Sequence, residues 1–181
     1  MAVPWPAVFG NARRVEVEIG PGRGDLLLAL AAAAPSTNFF AVERAAASAA
    51  AITAKAARRG LTNVLVIAGD ARCVVGRLVA DASVGAYHIY FPDPWPKTRH
   101  RDRRLAGEAF ARDVSRTLAP GGVVHVASDV RSLVERFATV LAEAGLAAVP
   151  GAAPPAGRPT TPFERKYARD GTHYALLLRP G

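Results

Sequence analysis

Five short apolar runs, each followed by a segment of helix-forming residues, restrict this chain more than any other feature. The runs are Val15–Ile19, Asn38–Glu43, Asn63–Ala68, Ala86–Phe91 and Val123–Ala127. Helical patterns follow at Asp25–Ala34, Ala45–Arg59, Arg72–Ala80, Leu105–Leu118 and Val130–Ala144. Near-continuous apolar character, as in Asn63–Ala68, suits a strand covered on both faces. Strands alternating with helices predict a three-layer α/β/α domain with a mostly parallel sheet. A last strand, His173–Arg179, can add an antiparallel member. With 181 residues, half of them apolar, one domain spanning 1–181 is expected. Residues 1–14 read as a short N-terminal arm. The Pro-, Gly- and Ala-rich stretch 150–162 reads as a mobile connection.

In such a sheet the residues that follow each strand gather along one edge, and here they carry chemistry. Val15–Ile19 runs into Gly20-Pro21-Gly22-Arg23-Gly24, a turn that lets the backbone approach a ligand ahead of a helix N-terminus. Glu43 closes the second strand, where an acid can accept from ribose hydroxyls, although the same residue can simply open the next helix. Asp70 follows the third strand and reads equally as a ligand or as a helix N-cap. Ser128-Asp129 follows the fifth. Two residues read as structural: His125, between valines in a strand, and Cys73, taken as a small core side chain.

The fourth run delivers the most unusual stretch, Phe91-Pro92-Asp93-Pro94-Trp95-Pro96-Lys97. Prolines at alternate positions remove three backbone donors and hold Asp93 and Trp95 with little freedom. Trp95 is placed either to stack on a base or to pack its own loop. From Lys97 to Arg104 five basic residues stand against one acid, which is half of the formal net charge of +8. Lysine and arginine suit phosphates, while an aromatic and a carboxylate beside them suit a base, so nucleic acid is the expected partner. The single cysteine excludes an intramolecular disulfide and a cysteine-built zinc site, and no metal is expected. No apolar stretch is long enough to span a bilayer, and the N-terminus lacks a signal-peptide pattern, so a cytoplasmic protein without a membrane partner is expected.

The motifs Phe9-Gly10-Asn11, Glu18-Ile19-Gly20 with Gly22 and Gly24, Asn38-Phe39 to Glu43, Asn63-Val64 to Asp70-Ala71, Phe91 to Lys97 with Arg99-His100 and Arg103-Arg104, Leu118 to Gly122, Ser128-Asp129 and Thr161 to Glu164 occur in one order over nearly the whole chain. In these the chain resembles the bacterial tRNA (guanine-N7-)-methyltransferases. The proline-bracketed Asp-Trp motif is the specific part, whereas the glycine turn is shared widely. The resemblance implies a Rossmann-like class I methyltransferase fold, S-adenosylmethionine as cofactor and tRNA as partner. The product would be 7-methylguanosine at the variable-loop guanosine. It implies that Glu18, Gly20, Gly22, Glu43, Asp70, Ala71 and Asp93 surround the cofactor, with Asp93 also the catalytic residue. Lys97, Asp129, Thr161, Pro162, Phe163 and Glu164 would hold the guanosine, and Arg99, His100, Arg101, Arg103 and Arg104 would contact tRNA. A monomer or weak homodimer is expected. The chain departs from the family pattern at Pro21 and Arg23, at Val130 in place of the usual tryptophan, and in a short segment before Phe9.

Other readings share these residues. A cofactor-binding but non-catalytic RNA-binding homologue would bind S-adenosylmethionine without turnover. A methyltransferase of this fold with another substrate leaves the basic block unexplained. A dinucleotide-dependent oxidoreductase accounts for the glycine turn and for nothing after it.

Overall fold

A computed structural model of the protein describes residues 3–94, 105–155, 158–160, 164–165 and 171–181. Its elements, in chain order, are α1 (Trp5–Phe9), β1 (Val15–Ile19), α2 (Asp25–Ala33), β2 (Asn38–Glu43), α3 (Ala46–Arg58), β3 (Val64–Ala68), α4 (Ala71–Leu78), β4 (Val84–Tyr90), α5 (Glu108–Thr117), β5 (Leu118–Ser128), α6 (Arg131–Glu143), β6 (Ala147–Ala148) and β7 (His173–Leu178). They form one seven-stranded sheet of order β3-β2-β1-β4-β5-β7-β6. The strands β1 to β5 are parallel, and β7 runs antiparallel to both β5 and β6. The mixed α/β class with a mostly parallel sheet is thus observed. The order reverses between β1 and β4, so their carboxyl ends diverge around a crevice.

Alternation within the strands sorts the two faces. Val17, Ile19, Tyr87, Ile89, Val124 and Val126 enter the larger core together with Val75 of α4, Val114 of α5 and Phe137 of α6. On the opposite face Phe39 and Ala41 of β2 pack with Leu27 and Leu28 of α2 and Ile52 of α3. The buried amide of Asn63 binds this second layer to the sheet: its Nδ2 donates to the carbonyls of Ala31 at 3.0 Å and Thr37 at 2.8 Å. Gly24 sits where the glycine turn meets α3. A Cβ there would lie 2.8 Å from two Ile52 side-chain atoms, and the φ of +76° already disfavours an L side chain.

Several details differ from expectation, each for a physical reason. Within the N-terminal arm Trp5–Phe9 is a helix, with Trp5 buried, its Nε1 donating to Ser83 Oγ at 3.1 Å and its ring 5.1 Å from that of Phe40. Cys73 is exposed: Val74 and Val75 occupy the inward side of α4, and Cys73 falls off that stripe. β3 is the sheet edge and only half-buried, despite its unbroken apolar run. Helix α5 begins at Glu108 rather than Leu105, and β5 starts directly at Leu118, with a register shift opposite Val84 and Ala86 that absorbs the Pro120-Gly121-Gly122 stretch. β7 lies inside the sheet, because the two-residue β6 pairs along its outer side. Among the described residues no helix is long and apolar enough to cross a membrane.

Gly24→Ala should cost about 2–4 kcal/mol, combining a left-handed φ with a steric clash. Urea denaturation measures it, and in an Ile52→Ala background, itself destabilised by the cavity left behind, the added cost of Gly24→Ala should shrink to the backbone part.

Candidate active site

The loops that leave the carboxyl ends of β1, β2, β3 and β4 enclose a cleft of about 390 Å³, within the range of small-ligand sites. Three of these loops, those after β1, β3 and β4, are stitched to a neighbouring strand by one further backbone bond. Gly20 N–H donates to Val42 O at 2.9 Å, Gly69 N–H to Glu43 O at 2.9 Å, and Phe91 N–H to Ala127 O at 2.8 Å. The cleft is lined by Gly20, Gly22, Glu43, Asp70, Ala71 and Asp93, together with Arg44, Arg72, Phe91 and Pro92. Six of the seven residues expected around a cofactor therefore share one cavity. The seventh, Glu18, lies two residues before Gly20 on β1 and is buried.

Glu43 fixes the floor. Its Oε2 accepts from Gly22 N–H at 3.1 Å and its Oε1 from Ala45 N–H at 2.9 Å, so one carboxylate pins both the glycine turn and the start of α3. Of the two roles open to Glu43 on sequence, the opening of the next helix is observed; each oxygen also has a second lone pair. Gly20 and Gly22 have φ of +69° and +57°, and the space a Cβ would occupy at either is open. The turn thus presents bare backbone.

Asp70 is the N-cap of α4, its Oδ1 accepting from Arg72 N–H at 2.9 Å. The Arg72 guanidinium also donates to Oδ1 at 3.0 Å and to Oδ2 at 2.6 Å. These bonds, with Arg72 beside it, hold the Asp70 carboxyl down at about 2. The carboxylate stays ionised beside the cleft that Asp70 lines.

Glu18 has the opposite environment. Burial pushes its carboxyl up to about 8, with the Arg158 charge pulling it back only in part. Its Oε2 has no hydrogen-bond partner among the described residues, and an orphaned buried acceptor two residues before the cleft-lining Gly20 is an opening for a ligand donor.

Asp93 reaches the cleft on an exposed segment launched by Phe91, whose φ of +50° is rare for a bulky residue, above all before a proline. A backbone held in that region costs about 1–3 kcal/mol and redirects the chain across the end of β4. Asp129, at the end of β5, is exposed, outside this lining, and accepts from Ser128 Oγ at 3.2 Å. Glu164 is buried against Arg158 rather than in the cleft. Trp95, Lys97, Arg99, His100, Arg101, Arg103, Arg104, Thr161, Pro162 and Phe163 lie outside the described residues.

Sequence reasoning passed over three features. Arg72 orients Asp70, and its place two residues past a possible N-cap was the available signal. Glu16 Oε2, at 2.9 Å from His88 Nε2, begins a ladder in which His88 stacks on His125, with centroids 5.1 Å apart and planes 5° apart, and His125 Nδ1 meets the Tyr174 hydroxyl. Burial and the neighbouring His88 lower the His125 imidazole to about 4, so it stays neutral, as a structural histidine does. Arg158, inside the stretch 150–162, had no local signal at all.

The sheet has the class I methyltransferase fold. A family model described as "Putative methyltransferase" matches residues 12–176. A tRNA (guanine-N(7)-)-methyltransferase of Sodalis glossinidius (strain morsitans) is 38% identical over 170 residues, 91% of this chain and 71% of that protein. One of Anaeromyxobacter dehalogenans (strain 2CP-C) is 42% identical over 173 residues, 92% of this chain and 86% of that protein. Among solved structures, the 16S rRNA methyltransferase KamB superposes with a TM-score of 0.67 at 22% identity, covering 97% of this chain and 91% of that one, which speaks to fold alone. The chain belongs to the tRNA (guanine-N7-)-methyltransferase family.

The environment of Glu18 has a measurable signature. An unfolded carboxyl ionises near 4.5, whereas the folded one keeps its proton until about 8. Across that window the unfolded chain has shed a proton that the folded chain retains, so stability falls as pH rises, by at most about 1.4 kcal/mol per pH unit. Urea titrations across the window should show this slope, and Glu18→Gln should flatten it.

Proposed function

We propose that this protein transfers a methyl group from S-adenosylmethionine to N7 of a guanosine in tRNA, forming 7-methylguanosine at the variable-loop guanosine. The observation that carries the reading is the gathering of Gly20, Gly22, Glu43, Asp70, Ala71 and Asp93 around one cleft in a chain of this family. The residues suit the cofactor on their own chemistry. Glu18 offers an unpaired buried acceptor for an ammonium group, the bare turn at Gly20 and Gly22 admits close approach, and Glu43 has lone pairs for ribose hydroxyls. Asp70 and the backbone of Ala71 can take the edge of adenine. Bound there, S-adenosylmethionine supplies a methyl group carried on positively charged sulfur.

Guanine N7 already exposes a lone pair, so no general base is required. The protein's task is alignment, exclusion of water and stabilisation of charge. Asp93, as the catalytic residue, faces the purine as positive charge develops on it, or accepts from its N–H groups. The strained Phe91 turn and the flanking prolines keep that carboxylate from relaxing away. Lys97, Asp129, Thr161, Pro162, Phe163 and Glu164 hold the guanosine. Arg99, His100, Arg101, Arg103 and Arg104 meet the tRNA backbone, with affinity set mainly by phosphate contacts.

Transfer of labelled methyl to unmodified tRNA, followed by nucleoside analysis, tests the reading. The parent chain should yield 7-methylguanosine. Asp93→Ala should slow turnover by about 100-fold or more with the fold intact by circular dichroism. Label on another base, or an unaffected Asp93→Ala, would overturn it. Replacing Arg99, Arg101, Arg103 and Arg104 with alanine should flatten the salt dependence of tRNA binding by about 0.7–0.9 log unit per log unit of salt for each phosphate no longer neutralised, read from filter-binding titrations.

A further inference from the structure

Two arginines line the cleft beside the ends of β2 and β3, and they are used differently. Arg72 is spent on Asp70, donating to both carboxylate oxygens, at 3.0 Å and 2.6 Å. Arg44 lines the same cleft, yet it is exposed and makes no hydrogen bond or ion pair among the described residues. Its charge is felt at Asp70, but as the least of the influences that hold that carboxyl down, because Arg72 already occupies both oxygens. The backbone around Arg44 is nevertheless fixed. Glu43 O accepts from Gly69 N–H at 2.9 Å and Glu43 Oε1 from Ala45 N–H at 2.9 Å, so residue 44 is clamped between β3 and the entry to α3. Ala45, Ala46 and Ala47 follow, and none of them has a long side chain to compete for the same space. The result is an unpaired guanidinium on a fixed root.

What that group can take follows from what its neighbours leave. On the functional reading above, Glu43 serves the ribose hydroxyls, and Asp70 with the Ala71 backbone serves the adenine edge. Adenosine carries no anionic group for a guanidinium to pair with. Its remaining surface is the face of the purine ring, on which a planar, delocalised and weakly hydrated cation stacks better than a compact ammonium would. Placement also limits the cost of the charge. Asp93, beside which methyl transfer takes place on that reading, follows β4, two strands from β2 in the sheet order, and solvent at the exposed Arg44 screens its charge from the sulfur.

We propose that Arg44 is a cofactor-binding residue whose guanidinium stacks on the adenine ring while Glu43 holds the ribose. This deepens the reading of the cleft as the S-adenosylmethionine site and rests on it. Because Arg44 meets the adenosine half, it serves S-adenosylmethionine and the demethylated product S-adenosylhomocysteine alike. It takes no part in holding tRNA.

The test is calorimetric titration of the full chain with S-adenosylmethionine and S-adenosylhomocysteine, displacement of the former by adenosine, and filter binding of tRNA. Arg44→Ala should weaken all three small ligands by about three- to tenfold and leave tRNA affinity and its salt dependence unchanged. Arg44→Lys keeps the charge without the plane and should lose as much as alanine does. Arg44→Tyr keeps a plane without the charge and should regain most of the affinity. The position is exposed, and circular dichroism checks that each variant is folded. An unchanged cofactor Kd in Arg44→Ala overturns the proposal. So does full affinity in Arg44→Lys, the mark of a purely ionic role, or a loss for both cofactor forms but not for adenosine, which assigns Arg44 to the methionine carboxylate. A flattened salt dependence of tRNA binding with the cofactor Kd intact makes Arg44 a phosphate contact and overturns it too. A parent chain that binds neither cofactor form sinks the underlying reading of the cleft, and the parent control alone shows that.

Discussion

One carboxylate, that of Glu43, holds the working edge of this molecule together. Through its two oxygens it captures the N–H groups of Gly22 and Ala45, so the glycine turn after β1 and the helix entry after β2 cannot move independently. The turn is held as well by Gly20 N–H donating to Val42 O and Gly24 N–H to Pro21 O. Around it the parallel sheet supplies the rest. Successive strands point their carboxyl ends the same way, and the loops after β1, β3 and β4 each add one backbone bond to a neighbouring strand.

Beyond the cleft, the sheet carries polar groups where a layered α/β protein usually has apolar ones. Glu16, His88, His125 and Tyr174 run across β1, β4, β5 and β7 on the same face as Glu18 and Tyr90, and Arg158 with Glu164 covers the end nearest the cleft. Alternation along the strands made that face consistent: positions 16 and 18, 88 and 90, and 125 and 127 necessarily point one way. Burial then sets their character. Glu18 is driven toward its neutral form and His125 away from its charged form, while Asp70, under the Arg72 guanidinium, is kept ionised. Three titratable groups within one sheet edge are thus tuned in different directions by desolvation and by named partners.

The strained point is Phe91. A left-handed bulky residue before a proline is tolerated only because its N–H is tied to Ala127 and because β4 behind it is buried along its whole length. The consequence is a loop that leaves the sheet abruptly and delivers Asp93 across the crevice between β1 and β4.

Much of this was legible in the residues themselves. Strand and helix alternation, the glycine turn, the acids after β1, β2 and β3 and the Phe91-Pro92-Asp93 exit are local in sequence, and local rules of period, capping and proline geometry determine them. That β7 would lie inside the sheet, that Cys73 would face solvent, and that Trp5–Phe9 would dock its indole on Phe40 and Ser83 depended on which surfaces the finished layers left uncovered. Arg158 is the clearest case. Nothing in a proline- and glycine-rich stretch marks one arginine for burial, because its stability comes from Tyr90, far earlier in the chain, and from Glu164, six residues after it. Only the folded chain brings that ring and that carboxylate to one guanidinium.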